Sequence, residues 1–107
     1  MVYGKIPGGE EIVKLSIKEK FSNDYITREA GEKLRKMICK AAPPIVLDFK
    51  ALKVASSSFF DEGIAKLGLE GFDAKWVNEN ITFLNLHKLD AALLKQVCLA
   101  RGIKLNW

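Results

Sequence analysis

The sequence predicts an α/β fold with a mixed sheet of about four to five strands, an amino-terminal hairpin and about three helices. Residues 11–17 alternate between apolar and polar side chains, as a half-buried strand does. Two short apolar runs, 45–49 and 81–86, have the length and content of core strands. Helical periodicity follows each of these runs and precedes the first, and this alternation predicts right-handed crossovers and a partly parallel sheet.

The amino end is predicted to form the hairpin. Val13, Leu15 and Ile17 share one face of the alternating segment, and residues 2–6 are its predicted pairing strand. Between the two, Pro7-Gly8-Gly9 offers the positive-φ residues that a tight connection needs. The hairpin would make the sheet mixed.

The first long helix is predicted to begin after Thr27 and to end near Lys40. Thr27 is a suitable N-cap, Glu29 and Lys40 match the helix dipole at the two ends, and Pro43-Pro44 prevents continuation. The residues predicted to face the core recur at helical spacing: Ala30, Leu34, Met37 and Ile38.

A serine-rich turn, Ser56-Ser57-Ser58, is predicted to join the strand at 45–49 to a second helix. Ser58, with Asp61 three residues later, fits the capping-box pattern and is the predicted N-cap. Open α/β sheets place ligand sites at such strand-to-helix junctions, and the N–H groups of a helix start favour an anion. For Ser57, a purely structural role in the turn and a functional role both stay open.

Two adjacent aromatic residues open the second helix. Adjacent helical positions do not face the core equally, so one of Phe59 and Phe60 is either a surface anchor for a partner or covered by a neighbouring loop. Gly68 and Gly71 bracket the end of this helix, and 72–80 is predicted as a surface loop anchored by Trp76.

The carboxyl-terminal part is predicted to contain a strand and a last helix. The strand covers 81–86, and Asn85 or Asp90 is the expected cap of the helix, which ends at Gly102. Apolar and polar residues alternate again in 103–107, so a short terminal strand is expected there.

Composition indicates one globular domain over residues 1–107. The chain is 49% hydrophobic and 28% charged, and its net charge of +4 is spread along it without the basic stripe of a nucleic-acid binder. No secretory signal or membrane span is predicted, and Cys39 and Cys98, which lie in apolar helical patterns, are predicted to be buried free thiols. A cytoplasmic location is therefore expected.

The sequence favours a protein that is not an enzyme. His87, Ser57 and either Asp48 or Asp61 are the residues from which a hydrolase triad could form, but no GxSxG elbow surrounds any serine. Phosphate-binding glycine loops and metal-ligand spacings are also missing from the sequence, so no cofactor and no metal are expected. Asp61 and Glu62 are adjacent, so their side chains point in different directions on a helix and are poorly placed for paired acid–base chemistry. Negative charge in the first turn, which the helix dipole stabilises, is the favoured interpretation.

A family resemblance extends from about Thr27 to Leu99. The segment IVLDFKALKVASSSFFDEGIAKL is similar to the core of STAS-type domains, the anti-sigma-factor antagonists. ITREAGEKLRKMI, ASSSFFDE and ITFLNL resemble, more closely, a compact STAS-like family whose function is not established. The resemblance implies a STAS-like fold and a regulatory module: such antagonists bind a histidine-kinase-like ATPase and are released by serine phosphorylation.

The phosphoacceptor that the resemblance implies, by position, is Ser57. The family pattern is Asp-Ser-Ser/Thr-Gly, and here Ser56 stands for the aspartate and Phe59 for the glycine. The predicted partner-binding residues are Ser56, Ser57, Ser58, Phe59, Asp61 and Glu62, with the loop after 81–86 as a rim.

The expected function is a non-catalytic partner-switching module that does not bind membranes. Two alternatives of other classes stay open: a nucleic-acid-associated protein attracted by the net positive charge, and a binder of small anions or nucleotides at the helix N-terminus. The partner, the pathway and the oligomeric state are not predicted.

Overall fold

The computed structural model describes residues 2–4, 12–21, 24 and 26–107. The elements within these ranges are, in chain order, β1 (Val2–Tyr3), β2 (Val13–Ser16), α1 (Ile17–Phe21), α2 (Arg28–Lys40), β3 (Ile45–Asp48), α3 (Ser57–Gly63), a 3-10 helix (Ala65–Glu70), α4 (Ala74–Asn80), β4 (Ile81–Leu84) and α5 (Lys88–Ala100). The predicted α/β class is confirmed, and the short helices α1 and α4 are additions to it. Among these described elements, no helix is long and apolar enough to cross a bilayer.

The described strands form one four-stranded mixed sheet in the order β1-β4-β3-β2. β3 pairs in parallel with both β2 and β4, and β1 runs antiparallel to β4. The carboxyl ends of the three parallel strands therefore meet at one edge of the sheet, where the connections to α1, α3 and α5 begin. β3 is buried along its whole length, as its apolar sequence predicts.

The predicted amino-terminal hairpin is wrong, because β1 and β2 lie at opposite edges of the sheet. β4 is a buried strand, and without β1 its outer backbone groups would have no strand partner. Tyr3 of β1 instead lies opposite Phe83 and stacks on Trp107 at a centroid distance of 4.5 Å. The predicted turn at Pro7-Gly8-Gly9 lies outside the described residues.

β2 is shorter than predicted. Ile17 belongs to α1 rather than to the strand, and the Ser16 hydroxyl accepts a hydrogen bond from the Glu19 N–H at 3.4 Å, which favours the helical turn. Ile17 is fully buried, so the prediction that its side chain faces the core is confirmed. Only its predicted backbone conformation, a strand instead of a helix, is wrong.

α2 agrees with the sequence at both ends. The Thr27 hydroxyl accepts from the Ala30 N–H at 3.1 Å, and the helix ends at Lys40. Its packing against α3 is unusually close, because Gly31 meets Gly63. A Cβ on Gly31 would lie 2.7 Å from the Phe59 carbonyl oxygen. The two glycines therefore bring the helix backbones together despite the cost of glycine within a helix.

The segment predicted as a surface loop contains α4. Asp73 caps this helix by accepting from the Trp76 N–H at 2.8 Å, and Trp76 stacks on Phe72 at 4.2 Å. Trp76 is half-buried, and Val77 lies in the core. A helix of seven residues with so few apolar positions has little periodicity, and the cap and the tertiary packing stabilise it.

The expected carboxyl-terminal strand is not formed in the described segment 103–107, although Ile103 and Leu105 are buried as the alternation predicted. The Asn78 side chain takes the place of a neighbouring strand. It donates to the Lys104 carbonyl at 2.9 Å and accepts from the Asn106 N–H at 2.9 Å.

Candidate functional site

The serine turn is held by Ser56, not by Ser58. The Ser56 hydroxyl accepts from the Phe59 N–H at 3.1 Å and donates to the Ile26 carbonyl oxygen, so it caps α3 and ties it to the approach of α2. Ser58, the predicted N-cap, is a half-buried residue inside the first turn. The correction has a physical reason: only Ser56 has the extended backbone of an N-cap, with φ −130° and ψ 108°.

A buried carboxylate fixes the loop that leads into this turn. Asp90 on α5 is 1% exposed and accepts from the N–H groups of Val54 and Ala55, at 2.6 and 2.8 Å. Ala55 has a φ of 50°, a backbone conformation that an alanine rarely adopts without such support. Asp90 was one expected cap of the last helix, but His87 caps it, its Nδ1 accepting from the Leu89 N–H.

A second carboxylate holds the start of the same loop. Asp48, at the end of β3, accepts from the Lys50 N–H and from the Asn85 side-chain amide, each at 2.9 Å. Asn85 is itself at a positive φ of 57° and was the other expected helix cap. Asp48 and Asn85 therefore join the loops after β3 and β4 at the carboxyl edge of the sheet.

Phe59 and Phe60 are both fully buried, so of the two alternatives the surface anchor is excluded for both residues. Phe59 packs edge-on against Phe21, and Phe60 packs against Phe49. α3 is enclosed from two sides, which lets adjacent residues reach different parts of one core. Phe59 is thus a core residue and offers no surface to a partner.

Asp61 and Glu62 form the centre of an ionic network that joins three helices. Arg101, the C-cap residue of α5, donates two hydrogen bonds to the Asp61 carboxylate, one of them at 2.9 Å, and Arg28 of α2 donates a third at 3.1 Å. The Glu62 carboxylate accepts from Arg28 and is bonded by Arg35.

Glu62 has two further contacts. Lys66, one turn later on the chain, pairs with its carboxylate, and Arg35 also donates to its backbone carbonyl at 2.6 Å. The acidic pair therefore connects α2 and α5 to α3, a role beyond the dipole effect that the sequence suggested.

The network lowers the pKa of both carboxylates. Hydrogen bonding from Arg101 lowers the pKa of Asp61 below its ordinary 3.8, with Arg28 adding to it against partial burial. Lys66, followed by Arg35 and Arg28, lowers the pKa of Glu62 in the same way. Both side chains are therefore ionised throughout the physiological pH range.

Ser57 is exposed and borders a shallow surface groove of about 370 Å³, called here the serine groove. Its lining residues are Arg28, Ser57, Asp61, Val97, Ala100 and Arg101. The groove places a hydroxyl beside two arginines, both already bonded to Asp61, and next to the aliphatic side of α5. Sequence reasoning did not find Arg28 and Arg101, because they lie 33 and 40 residues from Asp61.

A second groove, of about 580 Å³, lies at the carboxyl ends of β2 and β3. It is lined by Lys14, Ser16, Lys18, Glu19, Lys20, Asp48, Lys50 and Ala51, and is called here the lysine groove. The Lys14 ammonium lies 3.7 Å from the Asp48 carboxylate. Ala51 on its wall has a φ of 62°, so strained backbone borders this groove too.

The histidine and the two acids of the candidate hydrolase triad each have another partner. His87 caps α5, Asp48 is bonded by Asn85, and Asp61 is bonded by the arginines. Within the part of the chain that the structure describes, no group of three His, Cys, Asp or Glu side chains is placed to hold a metal ion.

Both cysteines are free, but the prediction that both are buried is correct for Cys98 and wrong for Cys39. Cys98 is buried in α5, and burial raises its pKa to about 12, while Cys39 is exposed beside Glu70. Neither environment activates a thiolate.

Family comparison agrees with the geometry. The model of the family described as STAS-like domain of unknown function (DUF4325) matches residues 30–91, from α2 through β3, the serine turn and α3 to the start of α5. The chain belongs to this STAS-like family. Comparison with curated proteins and with solved structures gives no match. In this STAS-like domain the matched region contains Ser57 and Asp61 of the serine groove, while Arg28 and Arg101 lie outside it.

Proposed function

We propose that this STAS-like domain is a non-catalytic regulatory module that docks a protein partner at the serine groove. The observation that carries the proposal is the placement of Ser57: an exposed hydroxyl in a groove with Arg28 and Arg101, on a turn whose backbone is fixed. The proposed partner surface comprises Ser57, the exposed part of the serine turn around it, and Asp61. Phe59 is buried and is therefore excluded from this surface.

Preorganisation of the turn supports a docking role. Ser56 bonds α3 to the Ile26 carbonyl, and Asp90 holds the backbone at Val54 and Ala55. A partner that binds Ser57 would meet a surface already in one conformation, which lowers the entropy cost of association. The strain at Ala55 is tolerated because Asp90 stabilises it, as at functional loops in general.

Phosphorylation of Ser57 is the proposed control. A phosphoserine carries close to two negative charges, and Arg28 and Arg101 border the same groove. The phosphate would compete with Asp61 for these guanidinium groups and be held on the surface of the domain. The charge and shape of the groove would change while the buried core stays intact, so we expect partner release without unfolding.

The partner class in this proposal is a histidine-kinase-like ATPase, which the resemblance to anti-sigma-factor antagonists supports. The test starts with capture of partners from the native cell by wild-type protein and by Ser57→Arg, which fills the groove. Asn106→Arg, at an exposed polar residue outside the groove, is the matched control. Such an ATPase should be retained by wild type and control and lost by Ser57→Arg.

Calorimetry with the captured partner then compares unmodified protein with protein phosphorylated at Ser57. We expect at least a tenfold loss of affinity, or about 1.4 kcal/mol, with an unchanged thermal transition. Equal affinities, or phosphate found only on other residues, would remove the switch. Capture that is unaffected by Ser57→Arg would remove the docking site itself.

A second candidate function is binding of a small anion at the lysine groove. Four lysines line it, and clustered cations attract phosphorylated ligands. Thermal melts with phosphate, ATP and a neutral nucleoside test this candidate. Stabilisation by the charged ligands that is lost in Lys18→Glu/Lys50→Glu would support it, and equal melting temperatures with and without these ligands would reject it.

A further inference from the structure

One exposed stripe of α5 carries no charged side chain. Leu89 and Leu99 are 59% and 61% exposed, near opposite ends of the helix. The face, called here the α5 face, consists of Leu89, Ala92, Leu93, Gln96, Leu99 and Ala100. These residues recur at intervals of three and four, so they form one continuous stripe along the helix.

α2 provides the internal comparison, because it has the same length and a different exposed face. Apart from Cys39, its exposed residues are charged, and four of them pair along the helix, Glu29 with Lys33 and Glu32 with Lys36. Water solvates such a face. Single exposed leucines are ordinary on a protein surface, but a stripe with two of them on one helix is typical of a surface that another molecule covers.

Cations border the α5 face on both sides. Lys88 and Lys95 lie two turns apart along one border, where Lys95 sits over the Trp107 ring at 5.7 Å from its centroid. The other border is the serine groove, with Arg28 and Arg101. The one acidic residue of α5, Asp90, is buried, so this helix offers no exposed carboxylate.

We propose that the α5 face and the serine groove together bind an amphipathic helix of the partner whose apolar stripe is flanked by aspartate and glutamate. This inference rests on the proposed docking function and names the chemistry of the partner. The apolar stripe supplies the contact area, and the bordering cations select acidic flanks. The carboxylates of the partner would compete with Asp61 for the two arginines, as a phosphate on Ser57 would, which explains how modification releases the helix.

A second copy of the chain fits this surface poorly. Antiparallel pairing of two α5 faces brings the border of Lys88 and Lys95 against the same border of the other copy, and like charges repel. An anionic membrane fits less well than a helix, because interfacial helices bury a broad apolar face that often includes aromatic side chains, whereas the α5 face has three leucines, two alanines and a glutamine and no aromatic residue.

The test is selection from a displayed library of helical peptides with a fixed leucine stripe and randomised flanking positions, against the wild-type protein. Two variants are counter-selected in parallel: Leu99→Asp, which breaks the apolar stripe, and Lys88→Glu/Lys95→Glu, which reverses one border. Leu69→Asp is the matched control, since Leu69 is 74% exposed on the 3-10 helix and does not belong to the α5 face. Enriched peptides are then synthesised and their dissociation constants measured by fluorescence anisotropy.

The proposal predicts enrichment of aspartate and glutamate at the flanks. Affinity should fall at least tenfold in Leu99→Asp and in the charge-reversed variant, stay within twofold in Leu69→Asp, and weaken as salt is added. Neutral or basic flanks among the enriched peptides, or no enrichment over the Leu99→Asp counter-selection, would overturn it. A dimer of the wild-type protein in sedimentation that Leu99→Asp abolishes would also overturn it. So would binding to phosphatidylserine vesicles that the same change abolishes.

The same capture experiment distinguishes failure of the helical partner surface from failure of the proposed docking function. If the captured partner is lost by Ser57→Arg but retained fully by Leu99→Asp, the docking function stands and the helical partner surface is wrong. If Ser57→Arg has no effect on capture, the docking site itself is wrong.

Discussion

Replacing Asp90 tests whether a buried carboxylate holds the serine turn in place. Asp90→Ala leaves the buried Val54 N–H without its acceptor at 2.6 Å, which costs about 1–3 kcal/mol. Ala55 is exposed, so water replaces part of its bond and its loss adds about 1 kcal/mol. Removing the carboxylate also removes the cost of burying it, which places the expected loss at about 2–3 kcal/mol.

The assay is urea unfolding of wild type, Asp90→Ala and Asp90→Asn, with amide exchange at Val54. Asp90→Asn keeps one acceptor oxygen and turns an amide N–H toward a backbone donor, so its loss should be intermediate. Glu29→Ala, at an exposed residue whose ion pair with Lys33 spans 3.9 Å, should change the free energy of unfolding by less than about 0.5 kcal/mol. A loss below about 1 kcal/mol for Asp90→Ala, with unchanged exchange at Val54, would refute the reasoning.

Three further predictions concern the framework of the site. Ser56→Ala should lower the free energy of unfolding by about 1–2 kcal/mol because it removes the cap of α3, whereas Ser58→Ala should cost less than about 0.5 kcal/mol; equal losses in urea melts would contradict the assignment. Gly31→Ala should destabilise by about 1–3 kcal/mol although alanine favours helices, because its Cβ would meet backbone; Gly68→Ala, where the nearest heavy atom lies at 3.6 Å, should be nearly neutral in the same thermal melts. The pKa of Asp61 is depressed in the folded state, so its stabilising effect is present above pH 4 and lost as pH falls through that pKa; the stability gap between wild type and Asp61→Asn should shrink between pH 6 and pH 2, and a constant gap would argue against the network.

α2 could be predicted to the residue because independent local signals agree. The cap at Thr27, the charges at the two ends, the apolar period and the prolines all indicate the same boundaries. α4 could not, since its few apolar positions gave no period and its stability comes from the Asp73 cap and from packing across the fold. The pairing of β1 with β4 was missed because the chain separates them by some 80 residues, and sequence favours local pairing.

The position of the serine turn in the chain could be predicted, but the contacts of its side chains could not. The serine turn follows a buried strand and precedes a helix, as predicted, yet the choice between Ser56 and Ser58 as cap depends on the Ile26 carbonyl, 30 residues earlier in the chain. The arginines of the serine groove gave no local signal for the same reason. A sequence pattern predicts which segment turns, whereas the partners of its side chains come from elsewhere in the fold.

The most direct test of the central claim is site-specific photo-cross-linking in the native cell. A short diazirine side chain, which is smaller than the arginine that fills the groove, replaces Ser57 in one variant and Glu32, on the charged exposed face of α2, in the other. The docking account predicts a discrete protein adduct from position 57 that is absent from position 32 and that the Asn106→Arg change does not reduce. Adducts of equal yield from both positions, or none from position 57, would contradict it.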